Sequence, residues 1–252
     1  MKISVITTTF NSAATIGDTM KSVASQTYEN VEHLVIDGAS KDRTLDIVRE
    51  FSSSRTRVFS EPDKGIYDAM NKGFSQAEGE VIGFLNSDDL FADNDALEHV
   101  AQAFKDPEVD VCFGDLVYVT EDNLKIVRYW KSQRYIPGTF ARGWAPAHPT
   151  FYVRRRALER LGNFDLNYRL AADVEFMVRY LERGQLRSAY IPRVQVRMRL
   201  GGATNQSFKN IVRQNREVLH CLRKNGISYS PLSFIIHKLL NRIWQRWAGS
   251  KL

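Results

Sequence analysis

The first half of the chain alternates short apolar runs with stretches of helical periodicity, and this pattern limits the folds open to it. The apolar runs, each about the length of one buried strand, cover residues 3–8, 31–37, 57–60, 81–85 and 109–113. The predicted helices between them cover residues 11–25, 42–51, 65–76 and 96–104. Such alternation predicts an α/β fold, in which a Rossmann-like, mostly parallel sheet carries helices on both faces.

The second half is less regular. Residues 116–130 are predicted to form a hairpin that turns at Glu121, Asp122 and Asn123. Further elements are expected as helices at 154–161, 173–182 and 208–222, a strand at 190–200, and a last helix after Pro231. We therefore expect one domain over residues 1–205, with halves 1–106 and 107–205, followed by a basic helical extension over 206–252.

The positive charge of the chain is concentrated at its end. The formal net charge is +6, and eleven lysines and arginines lie between Arg197 and Leu252, where Glu217 is the one acidic residue. This asymmetry predicts an anionic partner for the tail, either a membrane surface or a nucleic acid.

Two isolated cysteines, Cys112 and Cys221, form neither a disulfide framework nor a metal motif, which indicates a reducing compartment. The N-terminus lacks the apolar region of a signal peptide, and no run reaches the roughly 18 apolar residues of a spanning helix. We therefore expect a cytoplasmic protein, peripheral at the inner face of the cytoplasmic membrane.

Two adjacent carboxylates, Asp88 and Asp89, follow the apolar run 81–85 in "EVIGFLNSDDLFADN". Two like charges at the end of a buried strand are energetically unfavourable unless another group pairs with them. Mg²⁺ is commonly held by one or two carboxylates together with phosphate oxygens, which predicts a metal and phosphate site here. The alternative is a solvated loop or the cap of the next helix, which Asp93 and Asn94 could also form.

Two other polar clusters, "TTFN" and "DGAS", also follow predicted strands, at the edge where ligands of α/β sheets bind. Phe10 could stack on a base while Thr8 and Asn11 hydrogen-bond to it. The alternative is that Asn11 only caps the following helix. Asp37 could accept a hydrogen bond from a base N–H or a ribose hydroxyl, and the alternative is an Asx-turn.

The segment "SEPDKGIYDAMNKG", residues 60–73, leads into a predicted helix whose buried side is Met70 and Phe74. Its remaining polar side chains are expected mostly at the surface: Tyr67, Asp68, Asn71 and Lys72. Of these, we expect Asp68 or Asn71 to face the site.

Four motifs in this order and spacing, "ISVITTTFNSAATI", "LVIDGASKDRT", "SEPDKGIYDAMNKG" and "GEVIGFLNSDDL", resemble glycosyltransferase family 2. The resemblance is greatest to its bacterial surface-polysaccharide members, of the colanic-acid and O-antigen type, and covers about residues 1–205. It implies a GT-A fold and an inverting transfer from a nucleotide-diphosphate sugar, most often UDP-linked.

Carried over by position, the resemblance implies that the nucleotide is held by Thr8, Thr9, Phe10, Asn11 and Asp37. It places "NSD" at the D-x-D motif of the family, so that Asn86 and Ser87 lie on the nucleotide side. Asp88 would then be the ligand of Mg²⁺ or Mn²⁺, with Asp89 beside it. The chain departs from the family pattern at Asn86, which stands where the first aspartate is usual and leaves the site one charge fewer.

The segment "LAADVEFMVRY" resembles the acidic segment of the family, with Ala172-Asp173 in place of the usual Glu-Asp. The resemblance implies that Asp173 is the base that deprotonates the acceptor hydroxyl, and Glu175 is the second candidate. The alternative for Asp173 is a structural role, in which its charge favours a helix N-terminus.

Two further candidates rest on the same resemblance. His148 in "APAHPTF" would lie near the acceptor or the metal, and its alternative is a structural role. "RMRLGGATN" could form a glycine-hinged flap from which Arg197 and Arg199 reach the diphosphate. Its alternative is an ordinary turn after a strand.

The tail segment "SPLSFIIHKLLNRIWQRW" has an amphipathic pattern. Apolar residues recur every three or four positions at Leu232, Ile235, Ile236, Leu239, Leu240, Ile243 and Trp247, and Lys238, Arg242 and Arg246 lie among the polar positions. The pattern predicts a helix that lies in the plane of an anionic membrane. The alternative is packing on the enzyme body or on a second copy of the chain.

The resemblance implies an enzyme that moves a sugar to a polyprenyl-diphosphate-linked oligosaccharide in exopolysaccharide or O-antigen synthesis. One rival is a sugar-nucleotide nucleotidyltransferase, which would need a glycine-rich basic loop after the first strand, where "TTTFNSAAT" stands. The other rival is a non-enzymatic nucleotide- or nucleic-acid-binding protein. The acidic cleft disfavours nucleic acid because it would repel a polyanion.

Overall fold

The computed structural model describes residues 1–122, 124–200 and 208–249. Its strands are β1 Ile3–Thr9, β2 Val31–Asp37, β3 Thr56–Ser60, β4 Val81–Phe84, β5 Leu90–Phe91, β6 Val111–Val119, β7 Ile126–Trp130, β8 Tyr152–Arg154 and β9 Ser188–Arg199. Its helices are α1 Ile16–Ala24, α2 Thr44–Phe51, α3 Ile66–Gln76, α4 Ala96–Ala103, α5 Arg155–Leu161, α6 Ala172–Val178, α7 Phe208–Lys224 and α8 Pro231–Gly249.

Across the described residues the strands form one sheet, in the order β3-β2-β1-β4-β8-β6-β9-β5, with β7 beside β6. Strands β3, β2, β1 and β4 pair in parallel, as do β6 and β9. Strand β8 runs antiparallel between β4 and β6, so those two strands point the same way. The predicted α/β class with a mostly parallel sheet is confirmed. The carboxyl ends of β1, β2 and β4 therefore lie along one edge.

Helices cover both faces of the sheet because its central strands are apolar on both sides. On β1, Ile6 packs in a core cluster with Met70 of α3 and Phe176 of α6. Its neighbour Val5 packs in a second cluster with Leu97 of α4. Successive side chains of a strand point to opposite faces, so these clusters lie on the two sides of the sheet.

Three local features differ from the sequence prediction. The run 109–113 and the first hairpin strand form one strand, β6, in which the buried Asp115 accepts hydrogen bonds from Ser132 N at 2.7 Å and Tyr190 Oη at 2.8 Å. Helix α1 begins at Ile16 instead of near Asn11, since residues 10–15 form a loop.

The short strands β5 and β8 were not predicted, because two or three residues carry no readable periodicity. The hairpin of β6 and β7 is confirmed, and Asn123 lies outside the described residues.

Helix α8 packs on the body of the protein along one side. Phe234 is buried, and the buried Gln245 accepts a hydrogen bond from Arg128 Nε of β7 at 2.8 Å. The end of the helix touches β7 directly, since a Cβ on Gly249 would lie 2.7 Å from Arg128 Cα. Within the described residues, none of the helices is long and apolar enough to span a membrane.

Candidate active site

One large cavity opens beyond the carboxyl ends of β1 and β4 and has a volume of about 580 Å³. Its wall brings together eight of the residues selected from the sequence: Thr8, Thr9, Phe10, Asn86, Ser87, Asp88, His148 and Asp173. Residues of β7 and α8 complete the wall. The cavity therefore joins the predicted nucleotide and metal side to the predicted base.

Three residues of the cavity wall have a buried polar atom that lacks a protein partner in the described structure. Among the described residues, nothing hydrogen-bonds to the buried atoms Thr8 Oγ1, Thr9 Oγ1 and Asn86 Oδ1. Leaving a buried polar group unpaired costs about 1–3 kcal/mol. All three residues line the cavity, so these oxygens indicate a polar ligand that completes them.

Hydrogen bonds between loops hold this edge of the sheet together. The hydroxyls of Ser12 and Ser87 meet at 2.9 Å. Asn11 Oδ1 accepts from Lys41 N at 2.9 Å, and Asn11 has a φ of 50°, which asparagine tolerates better than most residues. Asn11 thus joins the loops after β1 and β2; it does not cap α1, and it is not among the cavity-lining residues.

Asp37 is fully buried at the end of β2, and both of its carboxylate oxygens are occupied. One oxygen accepts from Ser40 N at 3.0 Å and Ser60 Oγ at 2.7 Å, and the other accepts from the Ser40 hydroxyl. The carboxylate thus binds the backbone N–H three residues on, one residue further than in the Asx-turn that the sequence left open as an alternative. The carboxylate orders the loops after β2 and β3, and its contact with a nucleotide stays a prediction.

Phe10 and Asp63 lie together in the wall of the cavity. The Phe10 side chain is 59% exposed, which is unusual for a phenylalanine and leaves a ring face free for stacking. A Cβ on Gly38 would lie 2.4 Å from Asp63 Oδ2 and 3.4 Å from Phe10 Cδ2, so the close approach of these residues requires glycine. The sequence analysis missed Asp63, although its place three residues after the end of β3 was an available signal.

The structure separates the two carboxylates of "NSDD". Asp88 lines the cavity, whereas Asp89 is fully buried and accepts hydrogen bonds from Asn86 Nδ2 at 3.2 Å and Arg199 N at 3.3 Å. Burial raises the pKa of Asp88, and burial with the adjacent Asp88 charge raises the pKa of Asp89 well above its usual value. Asp89 therefore stabilises the loop, and Asp88 is the carboxylate presented to a ligand.

The residues present fit a divalent cation completed by a ligand. Within the described part of the chain, there is no cluster of three or more His, Cys, Asp or Glu side chains that could hold a metal alone. Asp88 and Asn86 both line the cavity, and Asn86 Oδ1 has no protein partner among the described residues. Two protein oxygens suit a hard cation such as Mg²⁺ or Mn²⁺ whose remaining ligands are phosphate oxygens and water.

Asp173, at the start of α6, accepts a hydrogen bond from Tyr67 Oη of α3 at 3.1 Å. Both side chains line the cavity. Burial and the nearby Asp173 charge raise the pKa of Tyr67 well above its usual range, so the phenol stays protonated and donates. The sequence analysis placed Tyr67 among surface residues, because its partner lies 106 positions away along the chain.

His148 lines the same cavity, with its ring centroid 5.6 Å from those of Phe84 and Phe164. Burial lowers the pKa of His148, although the charge of Asp173 acts in the opposite direction. The lowered pKa favours a neutral imidazole. Glu175 lies outside the cavity wall and is 3% exposed, in an ion pair of 2.9 Å with Arg179. This arrangement favours Asp173 over Glu175 as the base.

Asp68 and Asn71 were expected to face the site, and neither is among the cavity-lining residues. Asp68 accepts from Lys64 N at 2.9 Å, in the turn that opens α3. Asn71 donates to Phe164 O at 3.0 Å and accepts from Phe164 N at 2.9 Å. Asp68 therefore stabilises the start of α3, and Asn71 joins α3 to the loop that follows α5.

Arg197 and Arg199 of β9 are also absent from the cavity wall, which includes Met198 between them. Because neighbouring side chains of a strand point to opposite faces, the two arginines are directed away from the cavity. Arg199 forms an ion pair of 2.7 Å with Asp18 and donates to the Asp88 carbonyl at 3.2 Å, so it supports the "NSDD" loop from behind. The glycine hinge of the expected flap, Gly201-Gly202, lies outside the described residues.

Comparison of the sequence with known families places it in one of them. The sequence model described as Glycosyl transferase family 2 matches residues 4–162. A PGL/p-HBAD biosynthesis glycosyltransferase of Mycobacterium bovis is 31% identical over 192 residues, which is 75% of this chain and 73% of the relative. An uncharacterized glycosyltransferase of Mycobacterium tuberculosis is 32% identical over 181 residues, or 70% of this chain and 68% of the relative.

Solved structures share the fold at low sequence identity. TarS from S. aureus, in residues 1–349 and in complex with UDP-GlcNAc, superposes with a TM-score of 0.69 at 19% identity, covering 94% of this chain and 70% of that one. The mannosyltransferase PcManGT from Pyrobaculum calidifontis, in complex with GDP-Man and Mn²⁺, has a TM-score of 0.67 at 19% identity, covering 99% of this chain and 73% of that one. These similarities show a GT-A glycosyltransferase fold.

Proposed function

Because the chain belongs to glycosyltransferase family 2 and is a glycosyltransferase, we propose that it transfers a sugar with inversion from a UDP-sugar to a lipid-linked glycan. The single observation that carries this proposal is the shared cavity. The unpaired oxygens of Thr8, Thr9 and Asn86 lie in the same wall as the Tyr67–Asp173 pair. One cavity therefore holds groups suited to a polar donor and a base suited to an acceptor.

The nucleotide end of the donor is assigned to the ends of β1 and β4. The exposed Phe10 ring stacks on the base, Asp63 accepts from its polar edge or from the ribose, and Thr8 and Thr9 donate through their free hydroxyls. The sugar donors named in the two structural neighbours, UDP-GlcNAc and GDP-Man, support a nucleotide-diphosphate sugar. The choice of UDP rests on the family resemblance.

A cation at this site would be held by Asp88 and Asn86, together with the donor diphosphate. When bound, it supplies Lewis-acid stabilisation of the departing diphosphate. The chain itself fixes the position of Asp88 through Arg199, which donates to the Asp88 carbonyl at 3.2 Å, and through Thr19 Oγ1, which donates to the Asp89 carbonyl at 2.9 Å.

Asp173 removes the proton of the attacking acceptor hydroxyl as that oxygen bonds to the anomeric carbon. Tyr67 orients the carboxylate by binding Oδ1, which leaves Oδ2 for the acceptor. The proton passes to Asp173 while the bond from the anomeric carbon to the diphosphate oxygen breaks on the opposite side. A single displacement of this kind inverts the anomeric configuration.

We assign the acceptor to the half formed by residues 107–205, and donor binding to residues 1–106. The exposed apolar side of α8 supports a lipid-linked acceptor reached from the inner face of the membrane. Six of its aliphatic side chains are 46–69% exposed: Leu232, Ile235, Ile236, Leu239, Leu240 and Ile243. An exposed apolar side of this kind is typical of helices that lie in the plane of a membrane.

A donor screen tests the proposed function. The purified chain is titrated with UDP-, GDP- and dTDP-sugars, with and without Mn²⁺, while its melting temperature and slow hydrolysis of the donor are followed. A bound UDP-sugar at 100 times its Kd should stabilise the fold by about 2.7 kcal/mol. Absence of both stabilisation and hydrolysis with every nucleotide sugar would refute the proposal.

A further inference from the structure

Three cations lie in the part of the cavity wall that is formed by β7 and α8. Arg128 comes from β7, and Lys238 and Arg242 come from α8. The spacing of four residues between Lys238 and Arg242 places them on the same side of the helix, one turn apart. Lys238 bonds to Asn215 of α7, and the adjacent Gln214 donates to the carbonyl of Leu170, three residues before Asp173, so the cluster borders the acceptor end of the cavity.

Two of these cations, Arg128 and Lys238, are held by neutral groups. Arg128 bonds to Gln245 and lies over the Tyr118 ring, with its Cζ 4.6 Å from the centroid. Lys238 Nζ donates to Asn215 Oδ1 at 2.6 Å. No salt bridge between described residues involves Arg128, Lys238 or Arg242. Three like charges in one wall without a carboxylate partner repel each other, which is costly unless an anion joins them.

Helix α8 packs with cationic and polar side chains inward and aliphatic side chains outward, which is the reverse of what its amphipathic pattern predicts. Its inner side presents Lys238, Arg242 and Gln245 to the cavity. Its outer side exposes aliphatic residues, among them Leu239 at 54% and Ile243 at 66%. Packing alone would bury the aliphatic residues and leave the cations in water. The inverted orientation places a cationic wall and an apolar surface on opposite sides of one helix.

The geometry points to Arg128, Lys238 and Arg242 as a binding site for the phosphate or diphosphate that links the acceptor glycan to its lipid. This inference rests on the proposed function and names the acceptor chemistry more closely. Guanidinium groups bind phosphate oxygens with paired donors, and a lysine adds a mobile point charge. The donor diphosphate is assigned to the end of the cavity that contains Asp88. An anion bound by the three cations would therefore belong to the second substrate, the acceptor.

The site explains how a lipid-linked acceptor would be positioned. If Arg128, Lys238 and Arg242 hold the phosphate of the acceptor, its glycan points toward Asp173. The lipid of the acceptor then passes the exposed aliphatic surface of α8. Binding energy at this remote group would then orient the reacting hydroxyl.

The test uses two variants, Lys238→Gln and Arg242→Gln, each of which keeps a polar side chain and removes one charge. Arg246→Gln is the matched control, because Arg246 is exposed on the same helix and outside the cavity wall. The probes are inorganic pyrophosphate, decyl diphosphate and the uncharged decyl glucoside, titrated calorimetrically with the donor nucleotide present at saturation. Sedimentation with phosphatidylglycerol vesicles is measured in parallel.

We expect pyrophosphate and decyl diphosphate to bind the unchanged protein and to bind each cavity variant about tenfold more weakly or worse, because each loses a charge-assisted contact. Arg246→Gln should bind both as before, and vesicle sedimentation should be the same for all four proteins. Equal diphosphate affinities in all four proteins, or an equal loss in Arg246→Gln, would overturn the site. A parallel loss of vesicle binding in the cavity variants would assign the cations to membrane headgroups and overturn the acceptor role.

Donor binding separates this inference from the proposed function. If the donor stabilises the cavity variants normally but diphosphate affinity is unchanged, the acceptor site alone is refuted. If no nucleotide sugar binds the unchanged protein, the proposed function fails first. Melting temperatures of the variants, together with their donor affinity, confirm that each has folded.

Discussion

The hydroxyl of Tyr67 donates to Asp173 Oδ1 at 3.1 Å and so joins helix α3 to helix α6 across the cavity. This contact places a protonated phenol beside the residue assigned as base. It also holds one carboxylate oxygen still, which leaves the other for the acceptor. The pair is therefore the most direct structural support for the assigned chemistry.

Asp173→Asn should lower turnover by about 10²- to 10⁴-fold, since the amide keeps the shape but cannot accept the proton. Tyr67→Phe should lower it less, because the base remains but loses its orienting hydrogen bond. Steady-state kinetics with a saturating donor checks both. Glu175→Gln is the control: loss of the 2.9 Å ion pair with Arg179 should lower the melting temperature while folded molecules keep their turnover. Full turnover in Asp173→Asn would show that another group is the base.

Asp88→Asn should lower turnover steeply, because the cavity loses the carboxylate that it presents to the cation. Excess Mn²⁺ should restore part of the activity if weaker metal binding is the main defect. Asp93→Asn, in the loop after β5 and outside the cavity wall, should behave like the unchanged protein. Full activity of the unchanged protein in a chelator would exclude the metal role.

Lys238→Met should raise the melting temperature at pH 7. Burial and the nearby Arg242 and Arg128 lower the pKa of Lys238 to about 8, against the opposing charge of Asp173. The unfolded chain has the ordinary lysine pKa of about 10.4, so it binds the proton more tightly than the folded chain does. This group therefore destabilises the fold below about pH 8, by on the order of 1 kcal/mol after solvent screening, and the penalty disappears as pH rises toward about 10.4.

Denaturant unfolding at pH 7 and at pH 9.5 checks this sign. The stability difference between Lys238→Met and the unchanged protein should shrink at the higher pH. Arg246→Met, on the exposed side of α8, should change stability little at either pH. A variant that is less stable than the unchanged protein at pH 7 would contradict the prediction.

Replacing Ile236, Leu240 and Ile243 together by glutamine should abolish sedimentation with anionic vesicles. These side chains are 46%, 58% and 66% exposed, so the fold and the donor affinity should be unaffected. Phe234→Ala is the contrasting variant, because this residue is 1% exposed against the body and its truncation should cost about 3–5 kcal/mol of stability. Unchanged vesicle binding by the triple variant would rule out the membrane role of this surface.

The N-terminal part of the sheet could be predicted from the local sequence pattern alone. The strands at β1, β2 and β4 are apolar runs of the right length, and polar loops follow each of them. Since parallel strands end at the same edge, the sequence pattern is sufficient to place Thr8, Asn86 and Asp88 together. Strands β5 and β8 could not be predicted in this way, because short pairings depend on neighbours that are distant along the chain.

The amino-acid sequence by itself determined the α/β class, the edge of the sheet that carries the site, and the amphipathic character of the last helix. Only the tertiary structure decided which way individual side chains point. It turned Asp88 to the cavity and Asp89 to the interior, paired Tyr67 with Asp173, and directed Lys238 inward on α8. The physical reason is that periodicity reports the average environment of an element, whereas hydrogen bonding and packing between distant elements set each side chain's partner.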